Sequence, residues 1–280
     1  MNDSRPEIPA PIKRQLRQEA GFGCCLCGNP VFEYHHIRPY SEAISHDPAE
    51  MMVLCPNHHH EATVGALTVE EQRGWKQNPT NVANGSVEGL LKARDSVIAV
   101  GLGSCEFVGP GFKLVVDGKP LLALERSEAD LLQLSLELYD AEDNLLLTIV
   151  NNEWIAGDPL PWDFEFGHRW LTLRRKARDV AIQIDARKTP TLLSGEMWCK
   201  GQQFLFDQRQ LTFDGVVQDI GFLEMGLVGM SIQVDTTTKM VSLVPAPKYG
   251  EGKIISWPDR AERVQKCIHA LAELEAGRRV

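Results

Sequence analysis

A stretch of alternating leucines is the most regular pattern of hydrophobic and polar positions in the chain. In "LLQLSLEL", residues 131–138, the leucines at positions 132, 134, 136 and 138 alternate with polar residues, which is typical of a strand with one buried face. Short stretches of similar character follow at intervals of roughly ten residues as far as residue 245. This spacing is typical of an all-β sandwich or barrel, and we expect a sandwich-like domain over residues 96–250. A β-solenoid is the alternative, although no strict repeat stands out.

Helical patterns lie nearer the two ends of the chain. "PIKRQLRQEAG" has its apolar residues on one face and ends at Gly21, which predicts a short helix. "TVEEQRGWKQNP" predicts another helix, because Thr68 and Glu71 have the spacing of a capping box. Near the C-terminus an apolar stripe predicts a helix over residues 256–278. That helix is expected to pack on its own domain, with a homodimer contact as the alternative.

A polar segment separates the first two helical patterns from the strand patterns. "NPTNVANGSVEG", residues 78–89, is rich in Asn, Gly and Ser and predicts a linker. The chain is therefore expected to be an α+β protein with an N-terminal unit at residues 12–80, a β-rich domain at residues 96–250 and the C-terminal helix.

The charge balance limits the ligands that the chain can attract. It has 29 Lys and Arg against 38 Asp and Glu, a formal net charge of −9. A protein that binds DNA by bulk charge has the opposite balance, so the affinity for DNA must come from the β-rich domain, a partner or an oligomeric state. No apolar run is long enough to cross a membrane, and the N-terminus lacks the apolar core of a signal peptide. These features predict a cytoplasmic protein with no membrane partner.

Four of the seven cysteines lie in the first fifth of the chain. Cys24 and Cys27 form C-x-x-C, and Cys55 and His58 form a second pair with the same spacing. Two residues between ligands allow a tight turn to direct both side chains at one ion, so the two pairs predict a Cys3His site for a structural zinc. Free buried thiols near surface histidines are the alternative. Cys25 cannot share this turn geometry and is expected to pack inward.

Histidines are concentrated beside the predicted zinc site. Six of the eight lie within residues 33–62. Adjacent residues of an extended segment point to opposite sides, so His35 and His36 are expected to have different roles, one binding a metal while the other faces a substrate. We expect His46 to be an ordinary loop residue and His60 to be a solvated helix residue.

The order of these residues resembles the HNH endonucleases of the ββα-metal, treble-clef zinc-knot type. The matching elements are C-x-x-C, then "HHI", then "LCPNHH", all within residues 12–80. The resemblance implies that His36 is the general base and that His35 and His59 bind a catalytic divalent ion. Glu50 takes the place of the family's orienting asparagine. We expect Glu50 to orient His36 by accepting a hydrogen bond from its Nδ1.

The chemistry of phosphodiester hydrolysis suits these residue types. The reaction needs a base that deprotonates water and a cation that stabilises charge on the leaving oxygen. Imidazole titrates at about pH 6.5, and imidazole ligands accept Mg²⁺, Mn²⁺, Ni²⁺ or Zn²⁺. The resemblance therefore implies a metal-dependent endonuclease that acts on DNA, and a β-rich domain that senses a ligand and regulates the nuclease is a further option. The alternative is a catalytically decayed zinc-knot module that binds nucleic acid or protein. The strongest support for this alternative is Glu50, which replaces the family's orienting asparagine.

Overall fold

The computed structural model shows a mixed α+β protein whose described helices all precede residue 85. It describes residues 6–43, 45–89, 98–102, 105–109, 111–126, 131–156, 162–188, 190–206, 210–218, 222–224, 230–245 and 253–254. None of the helices in these ranges has the length and apolar character needed to span a membrane. The predicted C-terminal helix, at residues 256–278, lies outside the described residues.

Five α-helices and two strands form the N-terminal part. They are α1 (Ala10–Glu19), β1 (Glu33–His36), α2 (Tyr40–Ala43), a 3₁₀ helix (Pro48–Glu50), β2 (Met51–Leu54), α3 (Pro56–Thr63), α4 (Val69–Gln77) and α5 (Thr80–Asn84).

Strands form most of the remaining described chain. They are β3 (Ser86–Glu88), β4 (Ile98–Leu102), β5 (Cys105–Gly109), β6 (Gly111–Val116), β7 (Lys119–Arg126), β8 (Leu132–Tyr139), β9 (Leu145–Val150), β10 (Glu153–Ala156), β11 (Asp163–Gly167), β12 (Trp170–Lys176), β13 (Asp179–Asp185), β14 (Thr191–Cys199), β15 (Gln202–Phe206), β16 (Leu211–Phe213), β17 (Val216–Gln218), β18 (Phe222–Glu224), β19 (Met230–Asp235), β20 (Met240–Pro245) and β21 (Lys253–Ile254).

The N-terminal part is built around the antiparallel pair β1–β2, in which His36 lies opposite Met51. All four residues of β2 are buried, because this short apolar strand is covered on both faces. Helix α3 follows β2 directly, with Pro56 in its first turn, where the missing amide hydrogen has no cost. Helix α4 has the predicted capping box between Thr68 and Glu71. Both predicted helices of this region are confirmed.

The strands from β3 onward belong to one hydrogen-bonded network. Successive strands pair antiparallel from β6 to β10 and from β11 to β17, while β14, β18 and β19 pair parallel with β4, β5 and β6. In β8 every second residue, from Leu132 to Leu138, is buried, as the leucine alternation predicted. The large β-sheet is therefore confirmed, and the sandwich-like layering stays a prediction.

The segment predicted to be a linker is ordered instead. Residues 80–84 form α5, and β3 pairs antiparallel with β10. Asn81 is buried, with 6% of its surface exposed, and its side-chain amide donates to the carbonyls of Gly21 and Gly28. The linker prediction was wrong because the polar side chains of this segment satisfy backbone groups of the cysteine loop rather than water.

A buried ion pair joins α1 to the sheet. Arg17 donates to both carboxylate oxygens of Asp163, at 2.8 and 2.7 Å, and the two side chains are only 8% and 6% exposed. The same guanidinium donates to the Tyr34 hydroxyl at 2.5 Å, and Phe22 packs edge-to-face on Phe164. Strand β1, which carries the paired histidines, is thus linked to β11 through Arg17.

Candidate metal centre and histidine cavity

Four side chains near the start of the chain meet with the spacing of a metal site. The ligand atoms of Cys24, Cys27, Cys55 and His58 all lie within 4.8 Å of one another. The sulfurs of Cys27 and Cys55 are 3.8 Å apart. Nδ1 of His58 lies 3.3 Å from the Cys24 sulfur and 3.4 Å from the Cys55 sulfur. Because tetrahedral zinc with Zn–S bonds of about 2.3 Å separates its sulfurs by about 3.8 Å, this group can hold a metal ion such as zinc.

A glycine turn and a buried asparagine fix the C-x-x-C loop. The amide of Gly28 donates to the Cys24 carbonyl at 2.8 Å, and Gly28 has a positive φ of 74°, which favours glycine. A Cβ atom at Gly28 would lie 2.1 Å from the Asn81 side-chain oxygen. The loop that presents Cys24 and Cys27 is therefore held by α5 as well as by its own hydrogen bonds.

Cys25 packs inward, as predicted. Its side chain is 2% exposed and belongs to the hydrophobic core of the N-terminal part. Burial raises the pKa of its thiol to about 11, and its sulfur is not among the four ligand atoms that come together. The two cysteines on either side of Cys25 point to the ligand group, which is what a tight turn between ligands requires.

His35 is held by a buried glutamine that the sequence did not suggest. Gln72, which is 3% exposed, donates its amide nitrogen to the Leu67 carbonyl at 2.9 Å. Its amide oxygen therefore faces Nε2 of His35, at 3.1 Å, and an amide oxygen can only accept. The proton of a neutral His35 is thus placed on Nε2, which leaves the lone pair on Nδ1.

His59 has a comparable partner. Nδ1 of His59 lies 3.4 Å from a carboxylate oxygen of Glu33, and its ring is 5.0 Å from the His35 ring in an edge-to-face arrangement. The nearby carboxylate favours a proton on Nδ1 of His59. The structure brings the rings of His35 from β1 and His59 from α3 together, and their binding of a divalent ion stays a prediction.

His36 lies in an aromatic cluster with Tyr40 and His46. Nε2 of His36 is 3.1 Å from Nδ1 of His46, and Nε2 of His46 is 2.9 Å from the Pro6 carbonyl oxygen. The Tyr40 ring centroid lies 5.5 Å from that of His36 and 5.0 Å from that of His46. His36 is only 9% exposed, so these neighbours determine which way its ring faces.

One cavity of about 600 Å³ is bordered by His35, His36 and His59 together. Tyr34, Tyr40 and Gln72 also line it. His35 and His36 are adjacent on β1, and the strand geometry predicted that they face opposite sides, yet both reach this cavity. The site residues predicted on β1 and α3 therefore share one space that a ligand can enter.

Glu50 is paired with an arginine of α4. One guanidinium nitrogen of Arg73 donates to both carboxylate oxygens, at 3.0 and 2.9 Å. The backbone of Glu50 supports the paired strands, because its carbonyl accepts from the Ile37 amide at 2.9 Å. The predicted role of Glu50 in orienting His36 stays a prediction, and the structure brings His46 to the Nε2 atom of His36.

A comparison with curated proteins gives one informative match. Over 75 residues, 26% of this chain, the sequence is 32% identical to Anaredoxin of Nostoc sp. (strain PCC 7120 / SAG 25.82 / UTEX 2576), and the match spans 99% of that relative. The chain belongs to the Anaredoxin family. The Anaredoxin match leaves about three quarters of the chain outside it. No family model matches the chain, and no solved structure matches it either.

Sequence reasoning missed three side chains that contact the predicted histidines. Gln72 looks like an ordinary polar residue of α4, and its contact with His35 is seen only in the structure. Glu33 stands two residues before His35, on the same face of β1, so the strand period could have indicated it. His46 was expected to be an ordinary loop residue, and its contact with His36 depends on how the loop folds back.

Proposed function

We propose that this chain is a metal-dependent HNH endonuclease that hydrolyses phosphodiester bonds in DNA. The order β1–β2–α3 supports the proposal, since it is the ββα arrangement that the resemblance implies. One observation carries it furthest: the rings of His35 and His59 meet at the cavity, with the Gln72 amide oxygen at Nε2 of His35 and the Glu33 carboxylate near Nδ1 of His59. Metal-binding histidines have this pattern, because the outer acceptor fixes the tautomer and raises the basicity of the ligand.

The residues around the cavity divide the reaction between them. His36 accepts the proton of the attacking water, and its burial beside Tyr40 restricts its ring. His35 and His59 hold a divalent cation such as Mg²⁺, Mn²⁺ or Ni²⁺. The cation supplies stabilisation of the charge that develops on the leaving oxygen. Gln72 and Glu33 keep the two ligand imidazoles in the tautomers that bind a cation.

The Cys3His group has a different role in this proposal. Its four protein ligands complete a tetrahedron, so a zinc ion there has no open position for substrate. The group joins the loop after α1 to the start of α3. A structural zinc would therefore hold His59 in place relative to β1 and stabilise a small core.

Metal binding at the histidine pair tests the proposal directly. We expect the zinc-loaded protein to bind one further Mn²⁺ or Ni²⁺ in titration calorimetry, and His35→Ala and His59→Ala to abolish this second event. The exposed His60 on the same helix provides the matched control, and His60→Ala should bind the second ion normally. Unchanged binding in both His35→Ala and His59→Ala would reject the assignment.

Two other functions have some support. The pairing of Glu50 with Arg73 favours a catalytically decayed module that binds nucleic acid or protein. The name of the Nostoc relative suggests electron transfer. Zinc content with divalent-dependent DNA cleavage favours the nuclease. Zinc content with DNA binding but no cleavage favours the decayed module, and iron with a reversible change in visible absorption favours electron transfer.

A further inference from the structure

A chain of three groups runs from the N-terminal segment to the histidine cavity. The Pro6 carbonyl oxygen lies 2.9 Å from Nε2 of His46, and Nδ1 of His46 lies 3.1 Å from Nε2 of His36. Both separations are within the range of a hydrogen bond between a ring nitrogen and its partner. The loop between α2 and the 3₁₀ helix thus brings His46 against a residue ten positions earlier.

The chemistry of the first group fixes the direction of every bond in this chain. A proline carbonyl can only accept, so Nε2 of His46 must carry a proton. A neutral His46 then has its lone pair on Nδ1, and this nitrogen can only accept from His36. Nε2 of His36 is therefore the donor, and the lone pair of a neutral His36 is on Nδ1.

Neighbouring side chains favour this arrangement over the predicted one with Glu50. The Tyr40 ring lies 5.0 Å from the His46 ring at an interplanar angle of 30°, a tilted stack that restricts the His46 ring beside His36. The carboxylate of Glu50 is engaged by Arg73. His46 is thus placed to do what the sequence assigned to Glu50.

We infer that His46 is a positioning residue for His36. It fixes the His36 ring with the proton on Nε2 and the lone pair on Nδ1, the atom that takes a proton in the reaction. The inference rests on the proposed function for its catalytic meaning, but the tautomer of His36 can be measured without any activity.

The catalytic consequence is tested with three variants of the full chain. His46→Ala should lower kcat for plasmid cleavage by up to about 100-fold, because a misplaced group loses that much rate, with KM nearly unchanged. His46→Asn should recover most of that loss, since its amide oxygen can accept from Nε2 of His36. The control His60→Ala should behave like the unaltered protein. Equal kcat values for His46→Ala and the unaltered protein would overturn the inference.

The structural consequence is read from the imidazole nitrogens by ¹⁵N–¹H correlation spectroscopy, about two pH units above the ordinary imidazole pKa of about 6.5. We expect His36 to carry its proton on Nε2 in the unaltered protein and in His46→Asn, and to lose this preference in His46→Ala. A proton on Nδ1 in the unaltered protein would overturn the inference even if DNA is cleaved. The expected tautomers in a protein that cleaves no DNA would support the positioning and reject the nuclease proposal.

Discussion

The buried ion pair between Arg17 and Asp163 should contribute much of the stability of the contact between the N-terminal part and the sheet. Replacing Arg17 with Met keeps the aliphatic length and removes the charge. Asp163, 6% exposed, would then lose both of its short hydrogen bonds from Arg17, at 2.8 and 2.7 Å. Tyr34 would lose its contact with the guanidinium as well. The pKa of the Tyr34 phenol, raised by burial and held down in part by Arg17, would rise further.

The expected loss in the free energy of unfolding depends on which charged groups remain around Asp163. Removing one partner of a buried ion pair costs about 3–5 kcal/mol, because it leaves an uncompensated charge. Arg174 lies 3.8 Å from the Asp163 carboxylate and still offers partial compensation, so the lower end, about 3 kcal/mol, is expected. The double variant Arg17→Met/Asp163→Leu buries no unpaired charge at this point and should be within about 1 kcal/mol of the unaltered protein.

Urea titration of the unaltered protein, the two single variants and the double variant measures the free energy of unfolding of each. The four values together form a double-mutant cycle that gives the coupling energy between Arg17 and Asp163. We expect a large loss of stability in Arg17→Met, a large loss in Asp163→Leu and a near recovery in the double variant. If Arg17→Met loses less than about 1 kcal/mol, the pair is worth no more than a surface salt bridge. A double variant whose loss equals the sum of the two single losses would show that the residues act independently.

Three further predictions concern the N-terminal unit. Cys55→Ser should abolish stoichiometric zinc binding, measured by atomic emission, and unfold the N-terminal unit while the sheet persists in far-UV circular dichroism; retention of zinc and stability would contradict the four-ligand assignment. Asn81→Ala leaves two buried carbonyls without their donor and should cost about 1–3 kcal/mol in thermal unfolding; no measurable loss would show that the cysteine loop does not depend on α5. Glu50→Asn removes an exposed salt bridge and should cost less than about 1 kcal/mol without changing the His36 tautomer seen by NMR, whereas a changed tautomer would return the orienting role to Glu50.

Local sequence patterns were sufficient to predict several features of this protein. The leucine alternation of β8 and the capping box of α4 depend on residues close together in sequence. The Cys3His group was predictable for a related reason, because each ligand pair has a fixed local spacing. In each case a short-range period determines which way the side chains face.

The features that sequence reasoning missed depend on long-range contacts. Asn81 donates to the carbonyl of Gly28, more than fifty residues earlier in the chain. The sequence does not show this contact, so the polar composition of an ordered segment was interpreted as a linker. Gln72 meets His35 across the cavity, and His46 meets His36 through a folded loop. A polar residue type is compatible with solvent, with a turn or with a buried contact, so composition alone cannot select among them.

Cleavage of supercoiled plasmid by the zinc-loaded full chain is the decisive test of the proposed nuclease activity. We expect nicked or linear products with Mg²⁺, Mn²⁺ or Ni²⁺, loss of activity with a chelator and its return when the divalent ion is restored. His36→Ala should retain its zinc and its fold but lose about 10²–10⁴-fold in rate, while His60→Ala keeps the full rate. Absence of divalent-dependent cleavage by the zinc-loaded protein would reject the nuclease proposal, and a His36→Ala variant with the unaltered rate would reject His36 as the general base.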